Sequence, residues 1–405
     1  MKKRILIVCQ HFWPENFRIN DIAKNFVEHG YEVDALCGIP NYPKGEFFSG
    51  YGFFRRRHEE YEGIRIFRCG EVPRKGNTYF RIFLNYISFP FFSLFHVFPR
   101  LFTHYDVVFL YQLSPVIMVW AGMLIAKIKK LPTVMYVLDL WPDNLYSVLD
   151  IKNKFLRKIA VTMSHWHYRH ASRLIAISPR MQKKLYDITE NKSIITVPQF
   201  CEKIYETTIY DESLNDRFKN GFNIVYAGNI SPAQNYSLIA KTAKILVDDY
   251  GIKDINWIIV GDGMSKNDFE RIIADYALED IFYFEGMHPM EDIPKYAYIA
   301  DGLLAALTKT PGLDCTIPAR VISYFAAGKP LLLSMDGDAT DLVNGQNCGF
   351  ASAAGDVEQF AENICKLYRM NDSERTKMGD NAKKVYMENF ERGDCLARLI
   401  AFIQP

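Results

Sequence analysis

Residues 222–263 read FNIVYAGNISPAQNYSLIAKTAKILVDDYGIKDINWIIVGDG. FNIVYA has the aromatic and β-branched content of a buried strand and ends in Gly228-Asn229. NYSLIAKTAKILVDDY then spaces its apolar residues as a helix does, and NWIIV is a second strand ending in Gly261-Asp262-Gly263. Strand, glycine turn, helix and strand make the βαβ unit of a parallel sheet. The alternation continues downstream through IFYFEGM (281–287), GLLAAL (302–307) and PLLLSM (330–335). Upstream it runs through RILIVC (4–9), EVDALCG (32–38), IRIFRC (64–69), DVVFLY (106–111), TVMYVL (133–138) and RLIAIS (173–178). The sequence therefore predicts an α/β protein of two doubly wound units in tandem, joined by the polar, aperiodic segment 196–221. Two such sheets facing each other are expected to bind ligands at the carboxyl ends of their strands.

Composition narrows the class. The 405 residues suffice for two or three domains, and 49% hydrophobic with 23% charged residues excludes disorder. With 48 Lys and Arg against 47 Asp and Glu, no overall field attracts nucleic acid. The eight cysteines include no C-x-x-C pair and several lie in strand-like runs, so they read as reduced core thiols. The apolar run after Lys2-Lys3-Arg4 is too short for a signal peptide and reads as a first strand, which predicts a cytoplasmic address. Aromatics, at 14%, concentrate between Tyr79 and Tyr111. Polar and proline interruptions argue against a span there, leaving two readings: a buried helix pair, or a surface that sets aromatic side chains among lipid headgroups with Arg81 and Arg100 at its margins.

The turn after the first strand, Gln10 to Asn16, contains no glycine, and Gly261-Asp262-Gly263-Met264-Ser265-Lys266 lacks the third glycine of a dinucleotide fingerprint. No P-loop is present. Gly228-Asn229-Ile230-Ser231, between strand and helix, is expected to offer amides to a diphosphate, and Arg320, near the start of a short helix, to pair with its oxygens.

The strings FNIVYAGNISPAQN, IIVGDGMSKNDFE, FEGMHPMEDIPKYAYIADGLLAAL, IPARVISYFAAGKPLL and GDATDLVNGQNCGFASAAGD resemble the nucleotide-sugar-binding domain of retaining glycosyltransferase family four, a two-domain GT-B fold. HFWPEN, HGYEVDALCGIPNYPKG and VLDLWPDNL are similar to a bacterial subgroup that assembles O-antigen and capsule, N-acetyl-L-fucosaminyl transferases among them. The resemblance implies an acceptor-binding domain at 1–198, a nucleotide-sugar-binding domain at 199–385, and a C-terminal helix at 386–405 that crosses back to the first domain. Donor-side positions are then Gly228, Asn229, Ile230 and Gln234 on one turn and Gly261, Asp262 and Gly263 on the next. Met287, His288, Pro318 and Ser323 complete that set. His11, Glu15, Asn16, Asn41 and Tyr42 fall on the acceptor side, with Asp139 and Arg320 as the catalytic pair.

Departures qualify the resemblance. Cys315 and Ser323 stand where the family commonly has two glutamates, and Asn229 and Gln234-Asn235 replace its basic pair. Positive charge on the donor must come from Arg320, with Arg180 and Lys329 as further sources. Leu138 replaces a family histidine, leaving Asp139 as the first polar group after its strand.

Bland readings stand beside these: Asp139 as a helix cap, His11 as a hydrogen-bonded core residue, Arg55-Arg56-Arg57 as a solvated loop. His165, His167 and His170 do not share one helical face, and neither they nor Asp336-Gly337-Asp338 is expected to hold a metal. The resemblance implies a retaining, metal-independent transferase needing no cofactor. It would move a sugar, of N-acetylated amino or deoxyamino type, from a UDP-sugar to a polyprenyl-diphosphate-linked saccharide. The leaving diphosphate would help to deprotonate the acceptor hydroxyl, at the inner face of the plasma membrane, with 79–102 on lipid. The alternative is a UDP-sugar epimerase of the same architecture or a sugar-nucleotide-binding subunit without chemistry.

Overall fold

The computed structural model describes residues 2–77, 79–143, 153–190, 193–310 and 312–404, the side chains of Asn77 and Tyr79 excepted. It divides into two compact units, Met1–Val197 with Leu396–Pro405, and Pro198–Cys395. The chain's return to the first unit thus begins at Leu396.

The first unit is built on an eight-stranded sheet of order β3-β4-β2-β1-β5-β6-β7-β8. Its strands are β1 (Arg4–Val8), β2 (Glu32–Cys37), β3 (His58–Tyr61), β4 (Ile64–Arg68), β5 (Val107–Gln112), β6 (Thr133–Val137), β7 (Arg173–Ala176) and β8 (Ser193–Thr196). All pairings are parallel except β3 with β4. β3, HEEY, alternates exposed and half-covered residues, and β8 is similarly uncovered, so neither has the apolar run that marks the central strands. The helices are α1 (Ile19–Glu28), α2 (Tyr79–Leu94), α3 (Val97–Leu101), α4 (Trp120–Lys129), α5 (Lys154–His170) and α6 (Pro179–Thr189). Among the described residues no helix is long and apolar enough to cross a membrane.

The second unit carries a six-stranded parallel sheet of order β11-β10-β9-β12-β13-β14, the doubly wound order whose direction of winding reverses between β9 and β12. The strands are β9 (Phe222–Ala227), β10 (Ile255–Val260), β11 (Phe282–Gly286), β12 (Gly302–Ala306), β13 (Leu331–Ser334) and β14 (Gly349–Ser352). Around them run α7 (Glu212–Phe218), α8 (Tyr236–Asp248), α9 (Lys266–Asp275), α10 (Ile293–Ile299), α11 (Ala319–Ala327), α12 (Asp338–Gly345), α13 (Val357–Arg369), α14 (Asp372–Asn389) and α15 (Arg392–Ile403), whose end lies in the first unit. One apolar cluster, with Val225, Ile258 and Phe325, fills one face of the sheet, and another, with Trp257, Phe269 and Phe360, fills the other. Burial on both faces explains why β9 and β10 read as continuous apolar runs.

The carboxyl ends of β9 and β10 meet through backbone alone. Gly228 and Gly261 have φ of 144° and 142°, and a Cβ on Gly261 would stand 2.0 Å from the Gly228 carbonyl oxygen. Gly261→Ala is therefore expected to lower the melting temperature clearly more than Gly355→Ala, which has φ of 87° but open space around it. For units of this size about 1 kcal/mol corresponds to roughly 2–4 °C. Equal losses in thermal unfolding would show that strand-end contact is not limiting.

Candidate functional site

In the second unit, a hollow of about 420 Å³ opens at the carboxyl ends of β9 and β10 beside α11. It brings together Gly228, Asn229, Gly261, Asp262, Met287, His288, Arg320 and Ser323. Ile230, Gln234, Gly263 and Pro318 do not line it. Gly263 is instead pressed against the Ile230 carbonyl, where a Cβ would fall 2.2 Å from the oxygen, and Pro318 caps α11. Tyr205, Ala227, Val260, Met290, Ile293 and Tyr324 complete the wall. Tyr205 lies in the connecting segment, whose polar sequence carries no periodic signal of its contact with the sheet.

The amides expected to meet a diphosphate are largely taken. Gly228 N donates to Val260 O at 2.8 Å and Ile230 N to Asp262 O at 2.9 Å, tying the two strand ends together. Only the Asn229 amide of this trio makes no hydrogen bond among the described residues. The turn does not open a long helix directly either, because a 3-10 turn at Pro232–Gln234 and a left-handed Asn235 precede α8.

Arg320, the second residue of α11, supplies the cation. Its guanidinium lies 4.5 Å from the Tyr226 ring centroid and flat against Gly228, where a Cβ would come within 2.5 Å of Nη2. Nη2 is 3.5 Å from the Asn229 carbonyl, and Nη1 is buried with no hydrogen-bond partner. A buried guanidinium N–H without an acceptor is costly, and an anionic oxygen in the hollow would satisfy it. Of the two further cations suggested for the donor, Arg180 lies on α6 of the first unit, and Lys329 donates to Tyr298 O at 2.7 Å, at the amino ends of the strands, away from the hollow.

The missing glutamates have neutral successors. Cys315 is fully buried, and the Ser323 hydroxyl donates to Ala319 O at 3.2 Å. His288 is held by Tyr296 Oη at 3.0 Å, and Tyr296 also donates to Glu285, which pairs with Arg217 at 2.8 Å.

In the first unit, polar groups gather at the carboxyl ends of β1, β2 and β4. His11, buried, has Nδ1 2.9 Å from Glu15 Oε2, while Glu15 Oε1 accepts the amides of Asn41 and Tyr42 at 2.7 Å each. Tyr42 is exposed and inclines toward the His11 ring, whereas Asn16 is exposed and makes no hydrogen bond. Glu71 is the residue that sequence reading misses. Its Oε1 accepts from Gln10 at 2.7 Å, Asn85 at 2.6 Å and Asn41 at 3.2 Å, while Oε2 is buried against Gly38 without a partner. Only the glycine allows this, since a Cβ there would fall 1.9 Å from Oε2. The sole sequence signal, a lone Glu two residues after a strand-end Cys, is indistinguishable from a surface carboxylate.

Asp139 lies two residues beyond the end of β6. Ser114 Oγ donates to its Oδ2 at 2.7 Å, and Trp141 Nε1 donates to that same hydroxyl at 2.9 Å. Residues 144–152, on which its capping alternative depends, lie outside the described residues. His167 and His170 give Nδ1 to the carbonyls of Met163 and Trp166 at 2.7 and 2.8 Å, and no metal-binding group of three side chains occurs among the described residues.

Burial pushes the Glu71 carboxyl up, against the opposing pull of His11 and the Gln10 amide. A carboxyl raised on folding favours the native state below its unfolded value and loses that advantage as pH rises through the folded value. Glu71→Gln should therefore gain melting temperature relative to the parent at pH 8 and lose that gain toward pH 4. A difference that does not change with pH would place an ionised, fully compensated carboxylate there.

Two family models match this chain: a glycosyl transferase 4-like domain over residues 16–195 and glycosyl transferases group 1 over residues 212–385. The amylovoran biosynthesis glycosyltransferase AmsK of Erwinia amylovora is 24% identical over 159 residues, 39% of each chain. The 2-deoxystreptamine glucosyltransferase of Streptomyces kanamyceticus is 26% identical over 160 residues, 38% of this chain and 40% of its own. The chain thus spans about two fifths of the length of the curated relatives it matches. Among solved structures, Anabaena HepE in complex with UDP and glucose superposes with a TM-score of 0.70 at 15% identity, covering 99% of both chains. Sucrose-phosphate synthase from Thermosynechococcus elongatus does so at 0.72 and 12%, covering 99% and 98%. Matched in both halves and built of two Rossmann-like units, the chain belongs to the family-four glycosyltransferases of GT-B fold.

Proposed function

We propose that this protein transfers a sugar from a UDP-sugar to a polyprenyl-diphosphate-linked saccharide during assembly of a bacterial surface polysaccharide such as O-antigen or capsule. The observation that carries the donor half is the hollow beside α11, where Arg320 holds a buried N–H with no acceptor. An anionic diphosphate oxygen fits that donor, with the Asn229 amide beside it. Transfer then proceeds with retention and without a metal, Arg320 stabilising charge that develops on the leaving diphosphate while that diphosphate helps to deprotonate the acceptor hydroxyl. The sugar is of N-acetylated amino or deoxyamino type, consistent with the first-half motifs quoted above. AmsK, by its name, belongs to biosynthesis of a polysaccharide, which supports the same setting.

The first unit suits a lipid-linked acceptor at the inner face of the plasma membrane. α2 and α3 expose Phe80, Phe83, Phe91, Phe95 and Phe98, while Phe89 is buried beneath them. The segment is thus partly core and partly exposed aromatic surface, and the lipid reading is assigned to the exposed face. Alongside, Trp120 of α4 and Trp166 of α5 wall two apolar hollows of about 520 and 730 Å³. α2, α3, α4 and α5 contain Lys, Arg and His but no Asp or Glu, a charge pattern that favours anionic lipid.

Ser323 and the buried Cys315, lacking the carboxylates of the family, favour a second reading as a binding subunit or an epimerase. Thermal shift with UDP, UDP-sugars and the ADP and GDP analogues tests the donor half. A ligand at a hundred times its Kd adds about 2.7 kcal/mol of stability. Arg320→Met should weaken UDP binding roughly ten- to a hundredfold, the value of one charge-assisted contact. Unchanged affinity would remove Arg320 from the site, and turnover of the UDP-sugar without any acceptor would establish the epimerase. Asp139→Asn should slow transfer by roughly 10²–10⁴-fold while donor affinity and melting temperature hold. A near-native rate would reduce Asp139 to a partner of Ser114.

A further inference from the structure

Under the aromatic helices of the first unit lies a cluster of cations. Arg100, expected at the margin of the lipid surface, is instead 7% exposed, with its guanidinium carbon 3.5 Å from the Phe67 ring centroid. Its side chain forms no ion pair or hydrogen bond among the described residues, and its Nε is buried and unsatisfied. His58 packs against the same Phe67 ring from β3, with centroids 5.4 Å apart. Arg57 also turns inward, giving Nε to Arg68 O at 2.7 Å, Nη1 to Phe53 O at 2.5 Å and Nη2 to His96 Nε2 at 3.2 Å. The solvated-loop reading therefore fails for Arg57, while Arg55 and Arg56 remain exposed.

Among the described residues no carboxylate compensates this charge. Glu59, the neighbour of His58, points to the opposite side of β3 and is engaged by the buried Arg68. Asp34 is taken by Tyr105 Oη at 2.7 Å and by Arg65. The cost shows in the histidines. Burial first, then the charges of Arg57 and Arg100, lowers His96 to about 4, and burial with the same two arginines lowers His58. Two arginines without a counterion, one of them nine-tenths buried with an unused donor, are unfavourable unless an anion completes them.

We propose that Arg100, Arg57, His58 and His96 form a binding site for a phosphate oxyanion, separate from the donor hollow of the second unit. Guanidinium donors match the geometry of phosphate oxygens, and imidazoles convert to donors beside one. Phe95 between α2 and α3, Phe98 on α3 and Phe102 just after it are all exposed beside the cluster, so the phosphate of an anionic lipid headgroup has apolar ground for its chains next to it. The lipid assignment rests on the membrane reading above; the anion site does not.

The test uses the full chain with 13C-labelled histidine. Titrating inorganic phosphate should shift the Cε1–H resonances of His58 and His96 together and to saturation, with His11 and His29 unmoved. Arg100→Met, which keeps an apolar stem over Phe67, should abolish the saturating shift. If that variant does not fold, the wild-type titration decides alone: no shift, or an equal drift of all histidines, overturns the site. Phosphatidylglycerol vesicles should produce the same His58 and His96 shifts, phosphatidylcholine vesicles should not, and inorganic phosphate should compete. Shifts with phosphate and none with vesicles keep the anion site and assign it to soluble phosphate. Sedimentation with phosphatidylglycerol, with both histidines unmoved by vesicles and by inorganic phosphate alike, keeps membrane binding and overturns the anion site.

Discussion

The donor-side hollow depends on how closely two strand ends approach. Gly228 and Gly261 meet with no room for a Cβ between them, and the hydrogen bonds from Gly228 to Val260 and from Ile230 to Asp262 hold that approach. Because β9 is followed by a residue without a side chain, Gly228, Arg320 lies flat across it, between the Tyr226 ring and the Asn229 carbonyl. The same contact consumes the amides that a glycine turn advertises to an anion. Under the proposed function, recognition of a diphosphate would therefore rest on one guanidinium and one remaining amide, not on a nest of backbone donors.

Charge is distributed unevenly beneath a net value of +1. The donor hollow has Ser323 and Cys315 in place of the expected carboxylates and keeps Asp262, which accepts from Gly263 N at 2.7 Å, while nearby Glu285 pairs with Arg217. In the first unit, α2 to α5 carry no acid, and the cluster under α3 gathers arginine and histidine with no carboxylate partner among the described residues. Glu71 is the converse, a single acid buried among amide side chains. Desolvated groups of this kind cost stability wherever they stand, and their position at strand ends and beneath the aromatic helices places that cost where ligands act.

Local pattern carried much of the architecture. Apolar runs of strand length, glycine at strand ends and helical spacing between them located the central strands of both sheets, because a strand covered on both faces must be apolar throughout. β3, β8 and β14 went unread, being short edge strands without such runs. In the second unit, residues adjacent to strand ends, Gly228, Asp262, His288 and Arg320, were legible because position in a parallel sheet is set by topology.

What sequence alone determined is the succession of elements, the two doubly wound units and the one arginine beside the switch point, since each follows from periodicity within a few turns of chain. Tertiary structure decided which polar groups are satisfied. Arg100 stacks on Phe67, Arg68 claims Glu59, and Glu71 collects Gln10, Asn41 and Asn85 from three other segments. Those partners lie from nine to sixty-one residues away. A side chain's burial and its protonation depend on the groups that packing brings across the sheet, and no local pattern encodes them.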